Sequence, residues 1–135
     1  MEKTVTIKIP FYDVDPMQVA WHGNYLKYLE EARCAFLEEI GLSYTTMAEL
    51  GFAAPVILLQ IKYIKPCRFG QLIDVKAELV PSDNLLIFKY LITDSASLEK
   101  LCKAETKQMV VDLKTKESLF ELPQPFLRKL QVGSK

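Results

Sequence analysis

The hydrophobic period of this chain changes from helix to strand at Gly51, and that change restricts the possible folds more than any other feature. In residues 24–40 the apolar side chains Tyr25, Leu29, Ala32, Phe36 and Ile40 recur at helical spacing, while Lys27, Glu31 and Glu38 turn away. Gly41 supplies a C-terminal stop, Asn24 is a candidate N-cap, and residues 43–50 before Gly51 form a short second helix. Beyond Gly51 the pattern is that of strands, cleanest where Ile73, Val75, Ala77 and Leu79 alternate with Asp74, Lys76 and Glu78. The expected neighbours of that strand are residues 56–68, 85–93 and 101–112, joined by the turn-like Pro81-Ser82-Asp83-Asn84 and by residues 94–97. Residues 1–10, with Val5, Ile7 and Ile9 alternating, read as a first strand. A strand, one long helix and four strands in an antiparallel meander make an α+β chain with the helix laid on the sheet.

With 135 residues and no repeat or low-complexity tract, a single domain over residues 1–135 is expected. One helix covers one face of a sheet. Because residues 85–91 are nearly all apolar, that strand is expected to be buried on both sides, with a partner chain as the second cover. A last turn of helix is expected after Pro123, where Phe126, Leu127 and Leu130 form an apolar face.

Seventeen basic and seventeen acidic residues cancel, so no broad electrostatic claim on nucleic acid or anionic lipid follows. The longest apolar stretch, residues 52–59, falls far short of the ~20 residues that span a membrane. Residues 1–10 lack the apolar centre of a signal peptide. Cys34, Cys67 and Cys102, odd in number and widely spaced, point to a reducing compartment, with the cytoplasm expected. One histidine and no close cysteine pair leave no metal site.

Reactive side chains concentrate between the first strand and the helix, in Tyr12-Asp13-Val14-Asp15-Pro16-Met17-Gln18-Val19-Ala20-Trp21-His22-Gly23-Asn24-Tyr25. Two carboxylates here precede a helix N-terminus, whose free N–H groups and positive dipole can polarise a carbonyl or hold an oxyanion. A nearby carboxylate could then attack, or deprotonate water. Taken alone, Asp15 before Pro16 is more simply a side-chain-stabilised turn, and His22 a hydrogen-bonded neutral imidazole with no serine or cysteine beside it.

As a unit, Asp13, Asp15, Trp21, His22, Tyr25, Glu30 and Arg33 match in type and spacing the signature of the 4-hydroxybenzoyl-CoA thioesterase family, and Tyr63, Pro66 and Gly70 fall where its second strand ends. The chain resembles that family of hotdog-fold acyl-CoA thioesterases over nearly its whole length. The resemblance implies a long central helix wrapped by a curved antiparallel sheet, a homodimer or dimer of dimers, and active sites at the subunit interface. It implies hydrolysis of an acyl-CoA or acyl-carrier-protein thioester, with Asp15 as nucleophile or general base, the N–H at His22 polarising the carbonyl, and no cofactor. Trp21, Gly23, Tyr25 and Arg68 are the accompanying substrate-binding candidates. Asp13, two residues from Asp15, is expected to face the other way and to matter less.

The chain departs from the family in having Gln18 where many members have glycine, so different loop angles are expected there. Glu30 and Arg33 have a surface ion pair as their simplest reading, and Lys62, Lys65 and Arg68 that of a solvated strand end, with CoA phosphates the alternative. Cys34, Met47 and Cys67 read as packing residues. Two other functions compete. Hydration of an acyl thioester would need a histidine and an acid on the helix face that Tyr25, Leu29, Ala32 and Phe36 occupy. A non-catalytic acyl-CoA-binding or sensor module on the same fold would keep the pocket but normally carries a regulatory extension.

Overall fold

Period-two burial runs through the first strand, β1 (Glu2–Lys8), which leads through two short turns into the long helix α1 (Tyr25–Glu39) of the computed structural model, which describes residues 1–133. Then follow α2 (Tyr44–Glu49), β2 (Phe52–Ala53), β3 (Val56–Tyr63), β4 (Leu72–Val80), β5 (Leu85–Asp94), β6 (Lys100–Met109), β7 (Val111–Asp112) and α3 (Gln124–Gly133). Gly41, at φ +74°, ends α1 in the left-handed conformation, with the Leu42 N–H returning to the Leu37 carbonyl. The Ser43 hydroxyl caps α2 by accepting the Thr46 N–H at 3.2 Å. Asn24 caps nothing with its side chain: a 3₁₀ turn over His22–Asn24 starts the helix, and the Asn24 amide reaches back to the loop before it.

All five strands of the main sheet are antiparallel, in the order β1-β4-β5-β6-β3. The expected meander is therefore wrong at one place. β3 does not lie beside β4, because β1 takes that edge over the whole run from Glu2 opposite Glu78 to Lys8 opposite Leu72. β3 pairs with β6 at the far side, and β2 with β7 in a separate small ribbon. β3 also stops at Tyr63, short of the expected Arg68. Pro66 cannot donate to a ladder, and residues 64–71 cross the end of the sheet.

The core lies between α1 and the inner sheet face. Leu29, Ala32 and Phe36 pack on Val75, Phe88 and Ile92, with the rings of Phe36 and Phe88 edge to face at 5.1 Å. Fully burying a side chain such as Phe88 contributes about 1.5–3 kcal/mol. On β5 only Leu86, Phe88, Tyr90 and Ile92 are buried, while Leu85, Ile87 and Leu91 on the outer face are half-buried and Lys89 is exposed. Within one chain, then, that strand is covered on one side.

Arg33 is not a surface residue. It is 6% exposed and turns inward, donating from Nε to the Tyr44 hydroxyl at 2.7 Å and from Nη1 to that of Tyr90 at 3.3 Å, with Glu30 a distant 3.6 Å away. Buried polar atoms of Thr106 and Gln108 complete the network through Tyr90 and Tyr44.

The β5–β6 turn is held by Asp94, which accepts the Gln71 side-chain amide at 2.7 Å and the N–H groups of Ala96 and Ser97. Those donors, Gln71 foremost, draw its pKa from 3.8 down to about 2. The folded value lies below the unfolded one, so the stabilisation is complete above about pH 4 and is lost as pH falls through about 2. The melting temperature is expected to drop over that window, and less steeply in Asp94→Asn. Equal slopes in variant and wild type would show that Asp94 is not the linked group.

Candidate active site

The loop after β1 is tied down at both ends. Val14 bridges Ala20, the Asp15 N–H donates to the Val19 carbonyl at 2.9 Å and the Gln18 N–H to that of Asp15 at 2.8 Å, closing a tight tip over residues 15–19. Gln18 sits at φ +62°. It thus adopts the left-handed backbone that glycine favours. The crossing segment 64–71 holds the other side of this tip: the Ala20 N–H donates to the Cys67 carbonyl at 2.7 Å and the Phe69 N–H to that of Gln18 at 3.1 Å.

Asp15 uses Oδ1 to accept the Met17 N–H at 2.8 Å, which is the side-chain turn expected of Asp before Pro. Oδ2 has no protein partner among the described residues, so the turn leaves half of the carboxylate available. Asp13 faces the other way, as its position predicts, and is buried against α1.

At the helix start the Trp21 N–H donates to the Asp13 carbonyl and the Asn24 N–H to that of Trp21. The intervening His22 and Gly23 N–H groups have no acceptor among the described residues, as the first amides of a helical turn should not. Tyr63, from β3, donates its hydroxyl to the His22 carbonyl at 3.0 Å and stands edge to face on Tyr25 at 4.9 Å. That bond orients and polarises the His22–Gly23 peptide. Tyr25 is buried and its hydroxyl accepts the Cys67 N–H at 3.0 Å, so burial pushes its phenol pKa far up and it remains neutral.

These groups meet at an open cleft of about 290 Å³ lined by Asp15, Val19, Ala20, Trp21, His22, Tyr25 and residues 63–66. Of the predicted site residues, Asp15, Trp21, His22 and Tyr25 line it together, and Gly23 lies directly behind the Trp21 ring. Arg68 is not among the lining residues: its backbone bridges Val19 and bonds the Gln71 side chain. Lys65 lines the cleft in its place, paired with Glu99 at 2.7 Å. Lys62 is carried by strand alternation to the outer sheet face beside Lys89 and Lys103. Tyr63 was legible in the sequence only as a landmark at the end of a strand, since its partners are far from it in the chain.

Burial raises the pKa of all three thiols, that of Cys102 to about 12, which makes them packing groups and not nucleophiles. Among the described residues no group of three or more His, Cys, Asp or Glu side chains is gathered to hold a metal, and no helix is long and apolar enough to cross a membrane.

A family model for the thioesterase-like superfamily matches residues 9–130, which include every residue of the cleft. The chain belongs to this superfamily. Its hotdog architecture, one long helix on a curved antiparallel sheet, is shared with a 1,4-dihydroxy-2-naphthoyl-CoA thioesterase of Synechocystis, with a TM-score of 0.87 and 22% identity over 97% of this chain and 96% of that one. YbaW, a probable thioesterase of Escherichia coli, superposes with a TM-score of 0.85 and 26% identity over 98% of this chain and 99% of its own. YneP of Bacillus subtilis, provisionally named an acyl-CoA thioesterase, is 32% identical over 65 residues, 48% of this chain and 47% of YneP. The chain spans about half the length of the first curated relatives of this superfamily member.

Proposed function

We propose that this superfamily member hydrolyses acyl thioesters at the Asp15 cleft. The observation that carries the reading is the meeting at one cleft of Asp15, half of whose carboxylate is free, and His22, whose N–H, like that of the next residue Gly23, has no acceptor among the described residues. The thioester carbonyl oxygen lies against the amides, where developing negative charge is stabilised, and the carbonyl carbon faces Asp15. Asp15 then either attacks, breaking the C–S bond to expel the thiolate and forming a mixed anhydride that water cleaves, or takes a proton from the attacking water as the thiolate leaves; in both cases the thiolate takes up a proton to give the free thiol. The thiol is carried on CoA or on an acyl carrier, as expected from the likeness to the 4-hydroxybenzoyl-CoA thioesterases, and the reaction takes place in a reducing cytoplasm that keeps the three cysteines free. The test is a hydrolysis screen across aromatic, short and long acyl-CoAs and acyl-carrier proteins, reading free thiol. Release from at least one class, abolished in Asp15→Asn, is expected; no turnover of any class overturns the reading.

Assembly belongs to the same proposal. Among the described residues the outer edge of β3 has no strand partner, and beside it Val56, Ile57, Leu59 and Tyr63 are 41–54% exposed. An apolar open edge invites a second strand. We assign it to a second copy, giving a dimer that can pair further. Light scattering should give at least twice the 15.5 kDa of one chain. A fully active species of single-chain mass at micromolar concentration would overturn it.

A further inference from the structure

We infer that Asp13 is a positioning residue, whose buried carboxylate sets the spacing between Asp15 and the free N–H groups of His22 and Gly23. The inference rests on the proposed hydrolysis for its kinetic consequence, though its structural part is testable without it.

Asp13 is 3% exposed, and each of its acceptor atoms is used. Oδ1 takes the Lys27 ammonium at 2.6 Å, Oδ2 the Tyr28 hydroxyl at 2.8 Å, and the backbone carbonyl both the Trp21 N–H at 2.9 Å and the Asn24 side-chain amide at 2.8 Å. All four donors belong to the start of the helix or to its first turn. Asp13 is thus the point at which the Asp15 loop is fastened to α1. One residue beyond it Val14 pairs with Ala20, and one residue beyond its Trp21 contact stands the free His22 N–H. Asp15 and the amides are each a peptide or two from the same anchor.

A buried carboxylate is costly unless it is paired and hydrogen-bonded, so a turn that needed only a polar filler would be served better by asparagine. The charge is what holds Lys27, whose arm bends back from an exposed position and also lies over the Tyr12 ring at 5.9 Å. Loosening this anchor lets the two halves of the site drift apart. A misplacement of about 1 Å can cost on the order of 100-fold in rate.

The experiment compares Asp13→Asn, Lys27→Met and Tyr28→Phe with wild type, measuring kcat and KM on the acyl thioester found by the screen and hydrogen exchange of the Trp21 amide in the absence of substrate. Tyr28→Phe keeps the ion pair and carries the test if Asp13→Asn does not fold. Expected are a fall in kcat of roughly 10- to 100-fold for Asp13→Asn, and less for the other two, with KM within about threefold. Trp21 exchange should quicken by about tenfold while amides of β5 stay protected as in wild type. Wild-type kcat in the folded variants overturns the inference whether or not exchange quickens, and so does a loss carried by KM alone. If wild type turns over no thioester, the proposed function falls, and unchanged Trp21 exchange would then overturn the anchor separately.

Discussion

Asp15→Asn folds, still binds its acyl substrate and loses about 10³-fold or more in kcat. The fold survives because the amide oxygen can go on accepting the Met17 N–H that Oδ1 accepts now. Turnover does not, because an amide is neither a nucleophile toward a thioester nor a base toward water. Binding changes little, since the interaction removed is made in the transition state. Single-turnover hydrolysis in ¹⁸O-water, with enzyme in excess, bears on the role of the carboxylate. An unlabelled first product has taken its oxygen from Asp15 and shows direct attack, whereas a labelled product is given both by general-base catalysis and by water adding to the acyl carbonyl of a mixed anhydride, which trapping of an acyl-Asp15 adduct tells apart. A variant keeping a tenth of wild-type kcat, a barrier change of only ~1.4 kcal/mol, would falsify the essential role of this carboxylate.

Gly23→Ala lowers kcat/KM by roughly 10- to 100-fold, through the neighbouring indole more than through the backbone. A Cβ placed on Gly23 would lie 2.2 Å from the Trp21 ring, with two more ring atoms at 2.5 and 2.8 Å. Trp21 is 52% exposed and so is free to swing away, which spares the fold but removes one wall of the cleft. Adding Trp21→Ala to Gly23→Ala should then change little further, because the wall is already lost; a second loss as large as the first would show that the indole had stayed in place. His22→Ala supplies the contrast. It keeps the peptide N–H and should retain kcat within about tenfold. An His22→Ala protein as inactive as Asp15→Asn would make the imidazole itself the essential group.

What could be read from the sequence was what is encoded locally. The helix around Leu29 and Phe36 and the strand around Val75 follow from side-chain period within a few residues, and the structure has both. Alternation tells which way a side chain faces but not which strand lies alongside. The capture of the β4 edge by β1 depends on residues some seventy positions apart and was not legible, so β3 was misplaced. The site divides in the same way. Asp15, Trp21, His22 and Tyr25 stand in one continuous segment, so the sequence alone puts these candidates together, whereas Tyr63 and the Asp13 partners Lys27 and Tyr28 come from elements whose approach no pattern announces. The helical period turns Lys27 to solvent, and its arm starts there before bending to Asp13. Spacing alone makes Arg33 half of a surface pair because Glu30 is three residues away, while its closer partners, Tyr44 and Tyr90, lie on α2 and β5.

Tyr63 belongs to two neighbourhoods. It is the last residue of the open edge strand, and its hydroxyl holds the His22 carbonyl, next to the amides proposed to polarise the thioester. In the proposed dimer, a second copy lying along β3 is therefore linked to the candidate site through Tyr63. For anyone assaying this protein the outcome is practical: rate per mole should not be constant on serial dilution but should fall once the chains separate, with a lag on re-concentration that follows the rate of re-pairing and not the rate of catalysis.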